Sequence, residues 1–199
     1  MSDLEVVADG DDLRCSVLTA ALGELPAGSN GSWHRVVLAE LPLPWPDDIT
    51  DHPLLAGVDH DPRQGRRHRV LALASALSPA DARPDDGLRV ICYWRPLDER
   101  AGFRRAEVCA PDEDLGEIVE LLLDAPDAEL ASLPTDGFAA GAPAVEPPVR
   151  DLLVCTHGTR DRCCGKRGTN LFRALIDRVP PDTRVWRTSH TGGHRFAPT

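Results

Sequence analysis

Lysine is almost absent from this 199-residue chain: of 22 basic residues, Lys166 is the only lysine. Aromatic residues make up only 5%, with one Tyr, and there is a single Met. No apolar stretch approaches the ~20 residues that a bilayer-crossing helix needs. A representative run, Ile118 to Leu123, is short and is broken by Glu120. The opening residues, MSDLEVVADGDDLR, show neither a basic n-region nor an apolar h-region, so they do not read as a secretory signal. These absences predict a soluble, cytoplasmic protein with no membrane partner. In a reducing compartment the six cysteines point to metal binding or redox chemistry rather than to a disulfide framework.

Charge is unevenly spread. From Arg150 onward there are ten basic and four acidic residues, a net +6, against 12 basic and 28 acidic before it, a net −16; together they give the −10 of the whole chain. A basic final quarter on an acidic body suggests that the C-terminal part meets something anionic, such as an acidic redox partner protein. Nucleic acid is not expected, because the net charge is negative and basic residues do not interleave with aromatics. The arginine, Ala, Pro and Asp richness reads as the codon bias of a GC-rich bacterial genome.

Four segments rich in Val, Ile and aromatics predict strands: Trp33 to Glu40, His68 to Ala74, Leu88 to Trp94 and Phe103 to Cys109. Leu115, Ile118, Val119 and Leu122 recur at helical spacing behind Asp112, Glu113 and Asp114, and Pro126 stops that helix. Residues 1–131 are therefore read as an N-terminal α+β domain, 132–148 as a Pro/Gly/Ala-rich linker and 149–199 as a second domain. In the second domain, Arg150 to Cys155 predicts a strand, Thr169 to Val179 a helix and Thr183 to Thr188 another strand, the opening of an α/β unit with a parallel pair.

Two short motifs carry the chemistry. Cys155-Thr-His-Gly-Thr-Arg-Asp-Arg-Cys163-Cys164-Gly165 leaves the first of these strands, and Ser189-His190-Thr-Gly-Gly-His194-Arg-Phe-Ala-Pro leaves the second. Parallel strands bring their C-terminal ends to one edge, so the fold predicts thiols and imidazoles together. Such donors suit zinc or an iron–sulfur cluster, not magnesium or calcium.

The pattern C-x-H-x2-R-D-x2-C-G followed by S-H-x-G-G-H-R-F-A resembles the sucrase/ferredoxin-like family, over about Cys155 to Pro198. The N-terminal half matches more loosely, through Cys15-Ser16 and Glu40-Leu-Pro-Leu-Pro-Trp45. The resemblance implies an α/β chain with a thioredoxin-like C-terminal ferredoxin domain and an electron-transfer function. It also implies a 2Fe–2S cluster on Cys155, Cys164, His190 and His194, with Cys164 preferred to Cys163 because it directly precedes Gly165. Relatives continue into a further strand pair beyond the position of Thr199, so the C-terminal domain is expected to be incomplete at that end. Mixed ligation removes two negative charges from the cluster, and Rieske centres show the consequence, with potentials of about −150 to +300 mV against about −400 mV for all-cysteine plant-type clusters.

Two rivals stand beside this reading. A zinc-stabilised binding module fits a Cys2His2 set, although the step from Cys155 to Cys164 is longer than C-x2-4-C zinc spacing. A thiol–disulfide oxidoreductase using Cys163 with Cys164, or Cys164 with Cys155, lacks a C-x-x-C motif. An electron carrier is therefore favoured over a catalyst, and no paired carboxylates support a sugar hydrolase. Among the remaining residues, Cys92 and Cys109 are read as buried small hydrophobes and Cys15 as structural. Arg160 and Asp161 are expected to pair, His34, His52, His60 and His68 to lie at the surface, and His157 is either a donor behind the ligands or a plain loop residue.

Overall fold

Strands whose apolar residues run on without strict alternation are covered on both faces, and three strands here do so. β1 (Arg35–Glu40), β2 (His68–Ala74) and β3 (Leu88–Trp94) each leave only one residue half-buried and bury the rest. β4 (Arg104–Ala110), β5 (Arg150–Cys155) and β6 (Thr183–Thr188) alternate more and lie toward the edges. The structure is a computed structural model that describes residues 19, 21–25, 33–59, 67–74, 87–96, 102–133 and 150–192. All six strands form one mixed sheet in the order β4-β3-β1-β2-β6-β5. β1 runs parallel to β2 and β5 to β6, and the other three pairings are antiparallel.

One face of the sheet is closed by α1 (Leu115–Asp124), whose Leu115, Val119, Leu122 and Leu123 are buried against Val37, Ala39, Val90 and Trp94. Its last carbonyls would be orphaned inside the protein, and Arg35 answers them. The buried guanidinium donates through Nη1 to Leu122 O (2.8 Å) and Leu123 O (2.6 Å), and through Nη2 to Asp127 Oδ1 (2.9 Å). A cation there also meets the negative end of the helix dipole. Pro126 ends α1 as expected and caps the short α2 (Asp127–Leu130).

The other face curls. β4 and β5 sit at opposite edges of the ladder, yet Arg105 Nε lies 2.7 Å from Asp151 Oδ2 and Arg184 Nη2 lies 2.8 Å from Glu107 Oε2. Arg89 Nε reaches Glu107 at 2.8 Å, Arg105 also meets Glu107, and the Tyr93 hydroxyl donates to Asp151. Trp186 lies under both Arg89 and Arg184 and donates from Nε1 to Asp151 Oδ1 at 2.7 Å. Leu38, Leu71, Leu73, Ile91 and Trp186 fill the space beneath.

The expected α/β class stands. Strands 68–74, 88–94, 150–155 and 183–188 have the expected bounds, while β4 begins and ends one residue later than Phe103 to Cys109. The last helix, α3 (Thr169–Ile176), closes in a turn before Val179 because Pro180 disfavours helical backbone in the residue ahead of it. Most of the expected linker at 132–148, together with Cys15, His60 and His194, lies outside the described residues. The strands on either side of that linker join one sheet: Leu73 and Ala74 of β2 pair with Thr188 and Arg187 of β6.

The expectation of surface histidines is corrected at His68, which is 7% exposed and stacks on His34 with ring centroids 6.3 Å apart. His52 is committed too, its Nδ1 accepting the Leu54 N–H at 3.3 Å. Cys92 is buried in the main core, but Cys109 is only half-buried. Among the described residues no helix is long and apolar enough to cross a membrane.

Candidate metal centre

β5 carries Cys155 to its C-terminal end, fully buried, in register with Thr188 of β6. The chain then turns and re-enters helical structure at Arg162. Asp161 starts that segment as an N-cap: its Oδ1 accepts the N–H of Cys163 (2.8 Å) and of Cys164 (3.0 Å). The expected Arg160–Asp161 pair is not formed, because the cap occupies Asp161 and Arg160 reaches out to Asp47 at 2.9 Å. Residues Cys164–Gly168 form a single π-turn ahead of α3, a distortion often found where a helix serves a site.

Glycine makes the approach of this turn to β5 feasible. A Cβ on Gly168 would overlap the Cys155 carbonyl oxygen, and one on Gly165 would sit 2.6 Å from Gly158 Cα. Gly168→Ala is therefore expected to lower stability by about 2–3 kcal/mol, as overpacking against backbone does. Gly102→Ala, with nothing within 4 Å, is expected to be nearly neutral. Urea unfolding of both variants checks this, and equal midpoints would refute the close packing.

β6 delivers the third group. Ser189 donates its N–H to Ala72 O (3.0 Å) and accepts the Ala72 N–H on Oγ (2.9 Å), which carries the ladder one residue past the strand. His190 follows, its Nδ1 3.9 Å from Cys155 Sγ and 3.8 Å from Cys164 Sγ. The three donor atoms lie within 4.8 Å of one another, with both cysteines buried and the imidazole half-buried. Cys163, although buried and vicinal, does not belong to this group.

The two thiols are hydrogen-bonded to each other. The Cys164 thiol donates to Cys155 and, with N–H groups of His157 and Thr191 and the His190 ring, outweighs burial and lowers the Cys155 thiol from its ordinary value. Cys164 is pushed up, first by that same hydrogen bond and then by burial and by the Cys155 charge. A lowered Cys155 thiol favours the thiolate, the form that metals bind. Soft thiolates beside an imidazole select zinc or iron–sulfur chemistry over hard cations, so the donor set fits the group expected from the sequence.

Around these donors stands a collar from the first half of the chain. His157 Nδ1 accepts the His190 N–H (3.1 Å), and its Nε2 lies 2.7 Å from Pro46 O. Thr159 Oγ1 donates to Trp45 O (3.0 Å), and Arg69 Nη2 donates to His190 O (2.8 Å). A cavity of about 300 Å³ opens beside His190, lined by Trp33, Asp47, Asp48, Arg69 and Arg160 among others. The Asp161 cap was legible in the sequence, since an Asp two and three residues ahead of the two cysteines has cap spacing. Arg69 and Pro46 carry no such signal.

A family model described as sucrase/ferredoxin-like matches residues 26–199. No curated protein and no solved structure matches the chain.

Proposed function

Because the chain belongs to the sucrase/ferredoxin-like family, we propose that it is an electron-transfer protein holding a 2Fe–2S cluster on Cys155, Cys164, His190 and His194. The observation that carries the reading is the convergence of Cys155, Cys164 and His190 within 4.8 Å. His194 enters through the His-x3-His spacing alone. When bound, the cluster supplies a site that takes up and releases one electron. The chain would hold it with two buried sulfurs, Cys155 and Cys164, and with the half-buried His190 beside the cavity. The strand, π-turn, helix and strand over 150–188 support a thioredoxin-like reading of the C-terminal part.

Purification without oxygen, followed by metal analysis, tests the proposal. A red-brown protein with about two irons and two sulfides per chain is the expected result. A colourless protein with stoichiometric zinc would replace it by a structural zinc site, which a Cys–His donor set also suits. A second reading, thiol–disulfide exchange between Cys155 and Cys164, draws on the depressed Cys155 thiol. A metal-free chain that cycles reversibly between dithiol and disulfide would favour it.

A further inference from the structure

The parallel ladder between β5 and β6 makes its last backbone bond where Thr156 N–H donates to Thr188 O at 3.0 Å. Ser189 N–H turns away to Ala72 O on the other neighbour. The next amide on this chain is that of His190. Its partner is the Nδ1 atom of the His157 ring at 3.1 Å.

That ring is itself held on three sides. Its Nε2 lies 2.7 Å from Pro46 O, its edge meets the Trp45 ring at 5.7 Å and 87°, and the residue is 3% exposed. A carbonyl only accepts, so Nε2 carries the proton and donates, which leaves Nδ1 as the lone-pair acceptor that His190 N–H requires. The two bonds agree on one neutral tautomer. Arg69 Nη2 holds the His190 carbonyl from the opposite side at 2.8 Å. The peptide groups that flank the His190 side chain are therefore clamped front and back, which restricts where its Nδ1 can point.

We propose that His157 is a positioning residue for His190, acting through its Nδ1 acceptor, with the Trp45–Pro46 loop as its anchor. This rests on the reading of His190 as a metal ligand. His157 does not touch the metal position itself; it lies two residues beyond Cys155 and ties the ends of both ligand-bearing strands together. Residues that orient a ligand in this way typically change metal affinity about 10–100-fold when removed.

Substitutions can separate the two ring nitrogens. Asn places an amide oxygen near the position of Nδ1 and can still accept from His190, whereas Gln reaches the Nε2 position and can still donate to Pro46. The full chain, reduced and metal-free, is titrated with cobalt(II), and the visible ligand-field bands are recorded together with affinity. His157→Ala and His157→Gln are expected to weaken cobalt binding about tenfold or more and to alter the bands, and His157→Asn to restore both. Unchanged cobalt affinity and bands in His157→Ala, with its thermal midpoint unchanged, would overturn the proposal. So would rescue by Gln equal to that by Asn, which would make loop anchoring the whole effect. Should His157→Ala not fold, the Asn and Gln pair decides alone. A wild-type chain that takes up no cobalt on its thiolates would defeat the metal reading instead. In that case amide exchange of the metal-free chain decides the positioning claim: the His190 N–H is expected to exchange about tenfold faster in His157→Gln than in wild type or His157→Asn, and equal rates would overturn it.

Discussion

If the chain holds the proposed cluster, Cys164→Ser is expected to lack iron and visible absorption, while Cys163→Ser keeps both. The two thiols are neighbours in sequence and are both buried, so exposure does not separate them. Direction does: Cys164 Sγ stands 3.8 Å from His190 Nδ1 and is hydrogen-bonded to Cys155, whereas Cys163 is outside the group of donor atoms. A serine hydroxyl at 164 replaces a soft, polarisable ligand by a hard oxygen that stays protonated at neutral pH, and iron–sulfur chemistry favours the thiolate. Cys155→Ser is expected to match Cys164→Ser. Iron analysis and visible spectra of anaerobically prepared variants measure the effect, with thermal midpoints as the control for folding. A colourless Cys163→Ser beside a coloured Cys164→Ser would move the ligand to Cys163.

The largest effect on stability is expected at Glu107. Its carboxylate is 2% exposed and lies among the guanidinium groups of Arg89, Arg105 and Arg184. Glu107→Gln keeps the shape but leaves Arg89 without the carboxylate it pairs with and Arg105 and Arg184 sharing Asp151, and breaking a buried pair in this way costs about 3–5 kcal/mol. Acid should act through the same groups. Burial pushes the Glu107 carboxyl up, but hydrogen bonding and charge from Arg184 and charge from Arg105 outweigh it and hold it below its ordinary 4.5. Asp151 is likewise held below 3.8, because the charges of Arg105 and Arg184 outweigh its desolvation. A carboxyl that is more acidic folded than unfolded contributes its stability fully above the unfolded value and loses it as pH falls through the folded value. Thermal midpoints should therefore vary little with these two groups above about pH 5 and fall steeply below about pH 4. The fall should be shallower in Glu107→Gln, which has already lost one of the two contributions. Equal midpoints for wild type and Glu107→Gln at neutral pH would show that the cluster does not hold the curl.

The sequence disclosed strands well where the burial is one-dimensional. Runs such as HRVLALA and LRVICYW read as strands, and β2 and β3 have the expected bounds. It also disclosed that Cys155 and His190 share an edge, because parallel strands align their C-terminal ends. What stayed hidden depends on groups far apart in the chain. Asp151 and Arg105, 46 residues apart, reveal their pairing only once the sheet curls. Arg160 was matched to its neighbour Asp161 because adjacency is visible in sequence, whereas its partner 113 residues away, Asp47, is settled by the fold. His68 resembled a surface residue for the same reason: nothing local announces the His34 ring that covers it.

The three converging donors all come from one stretch, Cys155 to His190, while the groups that crowd around them, Trp45, Pro46, Asp47 and Arg69, come from the other half of the sheet. Under the cluster proposal, holding the cofactor and tuning it would fall to separate parts of the chain. A change near residue 46 or 69 alters the solvent access, field and rigidity felt at His190 without touching a single ligand. Two versions of this protein with the same donor residues would then differ in how readily the proposed cluster accepts an electron. The difference would be found by comparing their first hundred residues, not their motifs.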